Sequence, residues 1–355
     1  MKTFEIVRKT LDFNFKAGTS RGIYTKRDVW YIIIKDRSNS TIGIGESAPI
    51  PNLSCDFINN YNEVIKDAVA RFIDSGYINY DSLKSYPSIL MGLETADMQL
   101  KRESFAFFDN DFTRGNSPIQ INGLVWMGDY KTMYRRLKEK IDGGFRCIKI
   151  KIGAINFDEE VRLIKAIRKD FNRSDLEIRL DANCAFSSTD AIEKLKILSS
   201  YEIHSIEQPI KVRHWDDMYM LTTFSPIDIA LDEELIGVNT IKDKELMLRA
   251  INPKYIVIKP TLHGGIKGTD EWIQIAKKYD IGFWITSALE SNIGLNAVSQ
   301  IASLYPSGMA QGLGTGGLFC SNASSPLNLV SDNMYFDNTF SYSDNIENIL
   351  KWIKI

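Results

Sequence analysis

Apolar and polar positions change period part-way along the chain. Residues 2–16, 28–36 and 41–46 carry β-branched and aromatic side chains in short runs and predict three strands, while the polar stretch 18–27, with its two glycines, reads as a loop. A second loop is expected at 47–54, where Pro49 and Pro51 interrupt. Helical spacing takes over at 57–73 and at 88–99, where Ile89, Leu93, Ala96 and Leu100 recur every three or four residues. Strands followed by helices, without alternation, predict an α+β domain over 1–115.

From residue 118 strand and helix patterns alternate. Residues 118–126 predict a strand, 130–141 a helix stopped by Gly143 and Gly144, and 147–152 a strand in which lysine alternates with isoleucine. A helix at 157–171, a strand at 176–181 and a helix opened by 187–190 follow. The alternation repeats through Ser205, Ile229, Tyr255 and Ile281 to the glycine-rich segment 311–319. Such units close into a parallel barrel, here 116–324, with strand carboxyl ends converging on one mouth. The tail 325–355, with a short strand near 334–336 and an amphipathic stretch at 346–353, is expected to return to the first domain.

Candidate chemistry sits at one place in each unit. Lys151, Asp181, Glu207, Asp232, Lys259 and Ser287 each end an apolar run, and successive gaps are 30, 26, 25, 27 and 28 residues. Lys149 and Lys151 share one face of their strand, where mutual repulsion and lost hydration lower lysine pKa; the plainer reading is an edge strand with a solvated lysine face. Three carboxylates converging without cationic partners would repel, and a hard divalent ion such as Mg2+ relieves that, unless each is an ordinary cap or loop residue. Lysines on strands either side then approach the metal from opposite sides, able to take a proton from a carbon next to a metal-bound carboxylate. Lys149 is expected to tune Lys151 and to touch the substrate carboxylate. Residues 312–317, including Thr315 and Gly316, suit close backbone approach to a carboxylate or succinyl group, with a phosphate cradle as the alternative. Ser287 binds substrate or caps a helix, and Arg21 with the 47–54 loop closes over the mouth or forms an ordinary domain interface. His204, His214 and His263 lack ligand spacing and read as structural.

Composition narrows the partners. Net charge is −2 over 355 residues with both signs interspersed, which gives no footprint for nucleic acid or a membrane surface and leaves a small-molecule substrate. The four cysteines contain no paired spacing, so neither zinc nor a disulfide framework is expected. No apolar run is long enough for a signal peptide or a span, and the expectation is a cytoplasmic enzyme, with an oligomer allowed.

The order Lys-x-Lys, Asp, Glu, Asp, Lys resembles the muconate-lactonizing subgroup of the enolase superfamily over nearly the whole chain. Four strings, 18–22, 121–128, 287–295 and 312–319, are similar to the Bacteroidetes-type o-succinylbenzoate synthase branch of menaquinone biosynthesis. The resemblance implies a (β/α)7β modified TIM barrel under an α+β cap, with Asp181, Glu207 and Asp232 holding Mg2+ (or Mn2+ in its place). It implies Lys151 as the base that also returns its proton to the departing hydroxyl in a syn dehydration, and Lys259 as the charge that holds the enediolate. The substrate implied is 2-succinyl-6-hydroxy-2,4-cyclohexadiene-1-carboxylate. Alternatives are an N-succinylamino acid racemase, a dipeptide epimerase, whose usual Asp-x-Asp is missing from 312–319, muconate cycloisomerization, and a metal-binding barrel without catalysis.

Overall fold

The computed structural model describes residues 2–19 and 22–355; Ser20 and Arg21 lie outside the described residues. The N-terminal part is an antiparallel sheet of β1 (Lys2–Thr19), β2 (Gly22–Asp36) and β3 (Thr41–Ser47), with α1 (Tyr61–Ser75), α2 (Tyr80–Leu83) and α3 (Pro87–Arg102). Within the stretch 18–27 that reads as a loop, the described residues 18–19 and 22–27 are strand: β1 and β2 pair with Gly18 opposite Ile23, after a register shift between Asp12 and Ala17. The first half of β2 is largely exposed on both faces, so it lacks the alternation that marks a half-buried strand. The hairpin leans on the barrel: Phe13 bridges Phe319, and Gly18 bridges Met127.

The continuous apolar run of β2 has two destinations. Trp30, Ile32 and Ile34 face α1 and α3, whereas Tyr31 and Ile33 face the core shared with the barrel. A strand buried on both faces must be apolar throughout. Helix α3 lies so close to β3 that a Cβ on Gly45 would stand 1.8 Å from the Gly92 carbonyl oxygen.

The barrel begins with a split strand. β4 (Ile119–Gln120) joins a separate small sheet, and only β5 (Gly123–Val125) enters the barrel, so the single strand expected at 118–126 is two. There follow α4 (Tyr130–Asp142), β6 (Cys147–Lys151), α5 (Phe157–Asp170), β7 (Glu177–Asp181), α6 (Ala191–Ser199), β8 (Ser205–Glu207), α7 (Trp215–Phe224) and β9 (Asp228–Leu231). Then come α8 (Ile241–Ile251), β10 (Tyr255–Ile258), α9 (Pro260–His263), α10 (Gly265–Lys278), β11 (Gly282–Ile285) and α11 (Asn292–Leu304). Strands β5 to β11 are neighbours in sequence order and parallel. Residues 311–312 close the circle, Gln311 bridging Ile121 and Gly312 bridging Thr286, both parallel. This is seven strand–helix units and a short eighth strand, a modified TIM barrel beneath an α+β cap. Gly312 is explained by that closure, since a Cβ there would meet Thr286 Oγ1 at 2.2 Å.

The tail contains β12 (Leu327–Val330), β13 (Asn333–Phe336) and α12 (Tyr342–Lys354), one strand more than expected. β13 pairs with β4, and α12 reaches the cap, where Tyr342 Oη donates to the Ile42 carbonyl and accepts from the Ile42 N–H. Two cap carboxylates secure the cap to barrel helices. Glu94 accepts from the N–H groups of Ile266 (2.6 Å) and Lys267 (3.1 Å) at the start of α10, and Glu46 from those of Ser291 and Gly294 (2.9 Å each) at the start of α11. Helix N-termini attract anions, which offsets part of the cost of burying these groups. Burial still pushes each carboxyl up to about 7.

Gly45→Ala should lower stability by about 1–3 kcal/mol or more, because β3 and α3 cannot both keep their places. Urea unfolding measures it, and an unchanged midpoint would contradict the packing described.

Candidate active site

Strand register delivers the acidic groups to one point. Lys151 is paired with Asp181 and Asp181 with Glu207, while Asp232 follows the end of β9 and Lys259 the end of β10. One carboxylate oxygen from each of Asp181, Glu207 and Asp232 lies within 4.8 Å of the others, and all three residues are fully buried. β6 is an interior strand between β5 and β7, so the reading of a solvated lysine edge is excluded; Lys149 and Lys151 are 9% and 8% exposed.

The carboxylates do have cationic partners, contrary to the sequence expectation. Lys149 pairs with Glu207 and, at 2.9 Å, with Asp181; Lys151 donates to Asp181 Oδ2 at 2.9 Å; Lys259 donates to both Asp232 oxygens at 2.6 Å. The two lysines of β6 therefore differ. Burial disfavours the Lys149 ammonium, but Asp181, Glu207 and Asp232 together outweigh it and raise its pKa. For Lys151, burial, opposed by Asp181 and reinforced by the charges of Lys149 and Lys259, lowers the pKa below the ordinary lysine range. Glu207 is pushed up to about 7 by burial, with Asp181 and Asp232 adding and Lys149 opposing. Asp181 and Asp232 are held below the usual range, the lysine charges outweighing their burial.

The donor set fits a hard cation. Three oxygen-bearing side chains converge, and Glu207 Oε1 is buried with no hydrogen-bond partner among the described residues. The same oxygens suit an ammonium or a divalent ion.

Beside the cluster lies a pocket reached by Lys149, Lys151, Asp181 and Lys259. Its apolar wall comes from both parts of the chain: Tyr24, Ile50 and Leu53 from the cap, Trp126, Ala288 and Leu289 from the barrel. The Trp126 ring centroid is 5.7 Å from Lys151 Nζ. Ser287 and Thr315 line the pocket with hydroxyls 2.6 Å apart, and Ser287 also donates to Glu290. Ser287 is not a helix cap; Ser291 caps α11. Gly316 stands apart from the pocket, packed toward Asn292 and Leu295 of α11. His263 is buried and accepts from the Lys259 N–H, consistent with a structural role.

Sequence reasoning missed Asn183. Asn183 and Cys184 take left-handed backbone (φ 43° and 66°) just after β7, turning the Asn183 side chain back so that Oδ1 accepts from Lys151 at 2.7 Å while Nδ2 donates to Glu233 at 3.0 Å. The string Asp-Ala-Asn at 181–183 was the available signal, since asparagine tolerates this conformation better than most residues.

Comparison with known proteins agrees with this geometry. Residues 132–321 match the family described as enolase C-terminal domain-like. An o-succinylbenzoate synthase of Desulfotalea psychrophila is 40% identical, over 92% of this chain and 96% of that protein. The crystal structure of MenC from the same organism superimposes with a TM-score of 0.80 at 35% identity, covering 94% of this chain and 99% of that one. A muconate lactonizing enzyme from Pseudomonas fluorescens, solved with muconolactone, shares the fold with a TM-score of 0.78 at 20% identity over 98% of both chains. Register, buried acidic cluster, flanking lysines and these similarities together place the chain among the enzymes of the enolase superfamily.

Proposed function

We propose that this enzyme performs the Mg2+-dependent syn dehydration of 2-succinyl-6-hydroxy-2,4-cyclohexadiene-1-carboxylate to o-succinylbenzoate, with Mn2+ able to substitute. The observation that carries the reading is the placement of buried Lys151 and half-buried Lys259 against three carboxylates that lie within 4.8 Å of one another. The 40% identity to an o-succinylbenzoate synthase, over nearly the whole chain, supports this reaction over the others of the superfamily. On this reading the catalytic unit is 116–324, capped by 1–115 with 325–355.

Asp181, Glu207 and Asp232 would hold the ion, which when bound would supply positive charge to stabilise the substrate carboxylate. Lys151 Nζ takes the proton from the ring carbon that bears the carboxylate. A base must be neutral, and the buried setting that weakens its hold on a proton favours that form. Asn183 holds the Lys151 amine in one direction, and Trp126 excludes water from its flank. The same Nζ then gives its proton to the hydroxyl leaving from the adjacent carbon on the same face. Water departs, and the electron pair of the broken C–H bond becomes the double bond that completes the aromatic ring. Lys259 supplies positive charge opposite Lys151, and Lys149 keeps the Lys151 proton affinity low while meeting the substrate carboxylate. Ser287 and Thr315 receive the succinyl end.

Two lysines on one pocket also permit proton exchange at an α-carbon from either side, the chemistry of an N-succinylamino acid racemase. Purified protein with Mg2+, offered the cyclohexadiene substrate and N-succinylamino acids in parallel, should give the higher kcat/KM for dehydration; a higher value for racemization would replace the proposed substrate. Lys151→Ala should remove dehydration, and Lys259→Ala should lower its rate by at least about 10²-fold. Dehydration retained by Lys151→Ala would contradict its role as base. EDTA should abolish turnover and Mg2+ restore it; activity indifferent to chelation would exclude the metal.

A further inference from the structure

Among the described residues, Arg27, in β2 and 2% exposed, is a buried cation outside the acidic cluster with no carboxylate within hydrogen-bond reach. Its guanidinium donates to four backbone carbonyls. Two belong to the cap loop, Pro49 at 2.7 Å and Ala48; two belong to the loop after β11, Ala288 at 3.2 Å and Leu289 at 3.3 Å. A rigid planar fork can serve two segments at once in a way that the single ammonium of lysine cannot.

Both segments are pocket wall. Ile50 and Leu53 follow the two cap carbonyls, Ala288 and Leu289 carry the two barrel carbonyls, and Tyr24 lies three residues before Arg27 on the same strand. The apolar packing behind this wall is thin. Ile50, Ile236, Leu262 and Ala288, with Tyr24 and Leu53 against them, form a small cluster separate from the large cores of cap and barrel. Buried loop carbonyls need donors, and neither loop has a neighbouring strand to provide them at these positions. The negative potential that makes a buried guanidinium tolerable comes from Glu290 and Glu46 nearby.

We infer that Arg27 is a positioning residue that ties the cap loop at 48–53 to the barrel loop at 287–289 and so sets the shape of the wall that receives the end of the substrate distant from the reacting carbon. It touches neither the acidic cluster nor the lysines. Its loss therefore weakens binding of the substrate's distal arm equally in ground and transition states, which raises KM and leaves kcat in place. The kinetic half of this inference rests on the dehydration proposed above; the tie between the loops does not.

The test uses the full-length Mg2+ enzyme carrying Arg27→Met, of similar length without donors, and Arg27→Lys. Hydrogen–deuterium exchange read by mass spectrometry should show residues 48–54 and 287–290 losing protection together, by about tenfold or more, with strands β6 and β7 unchanged. KM for the cyclohexadiene substrate should rise at least about tenfold while kcat stays within about threefold, with Arg27→Lys between wild type and Arg27→Met. Should Arg27→Met not fold, Arg27→Lys carries both readouts, with coupled loss of protection in the two loops and a raised KM still required. Unchanged exchange in the loops, loss in only one, or a fall in kcat at constant KM would overturn the inference. Wild-type protein that fails to dehydrate the substrate while the variants show the coupled loss would refute the proposed reaction and keep the tie.

Discussion

Burying three carboxylates at one point is the constraint from which the rest of the molecule follows. Moving charged groups out of water is costly, and like charges a few ångströms apart add repulsion to that cost. The protein meets it with ammonium groups from strands on either side of the acidic ones, so the active-site lysines and acids stabilise one another. A group poised between an ammonium and a divalent ion as its counter-charge is also a group poised to polarise a substrate.

The barrel makes this arrangement attainable, since parallel strands in register bring carboxylates two strands apart to within 4.8 Å of one another. The cap completes it. Glu46 and Glu94 settle on the N-termini of α11 and α10, fixing the cap against the barrel, and Arg27 joins the two loops that line the pocket. Polar groups from the cap thus hold the apolar wall over a charged floor.

The acids and lysines were legible in the sequence because a strand and its returning helix take a nearly constant length of chain, so polar residues in register recur at 25 to 30 positions. Their mutual pairing was not legible, because it depends on side-chain direction inside a closed barrel. Arg27 and Glu46 gave no signal, since each reaches partners more than 240 residues away, most of them backbone groups. The start of β2, at 22–26, read as a loop because a strand exposed on both faces carries no alternation. Gly312 and Gly316 looked alike within one glycine-rich string, yet the first lets the barrel close on Thr286 and the second packs on α11.

The most direct measurement is anomalous diffraction from crystals grown with Mn2+. The account predicts a single strong peak bounded by oxygens of Asp181, Glu207 and Asp232, with Lys151 and Lys259 on opposite sides of it. A peak elsewhere, or none at saturating Mn2+ with all three lysines still on the carboxylates, would contradict it.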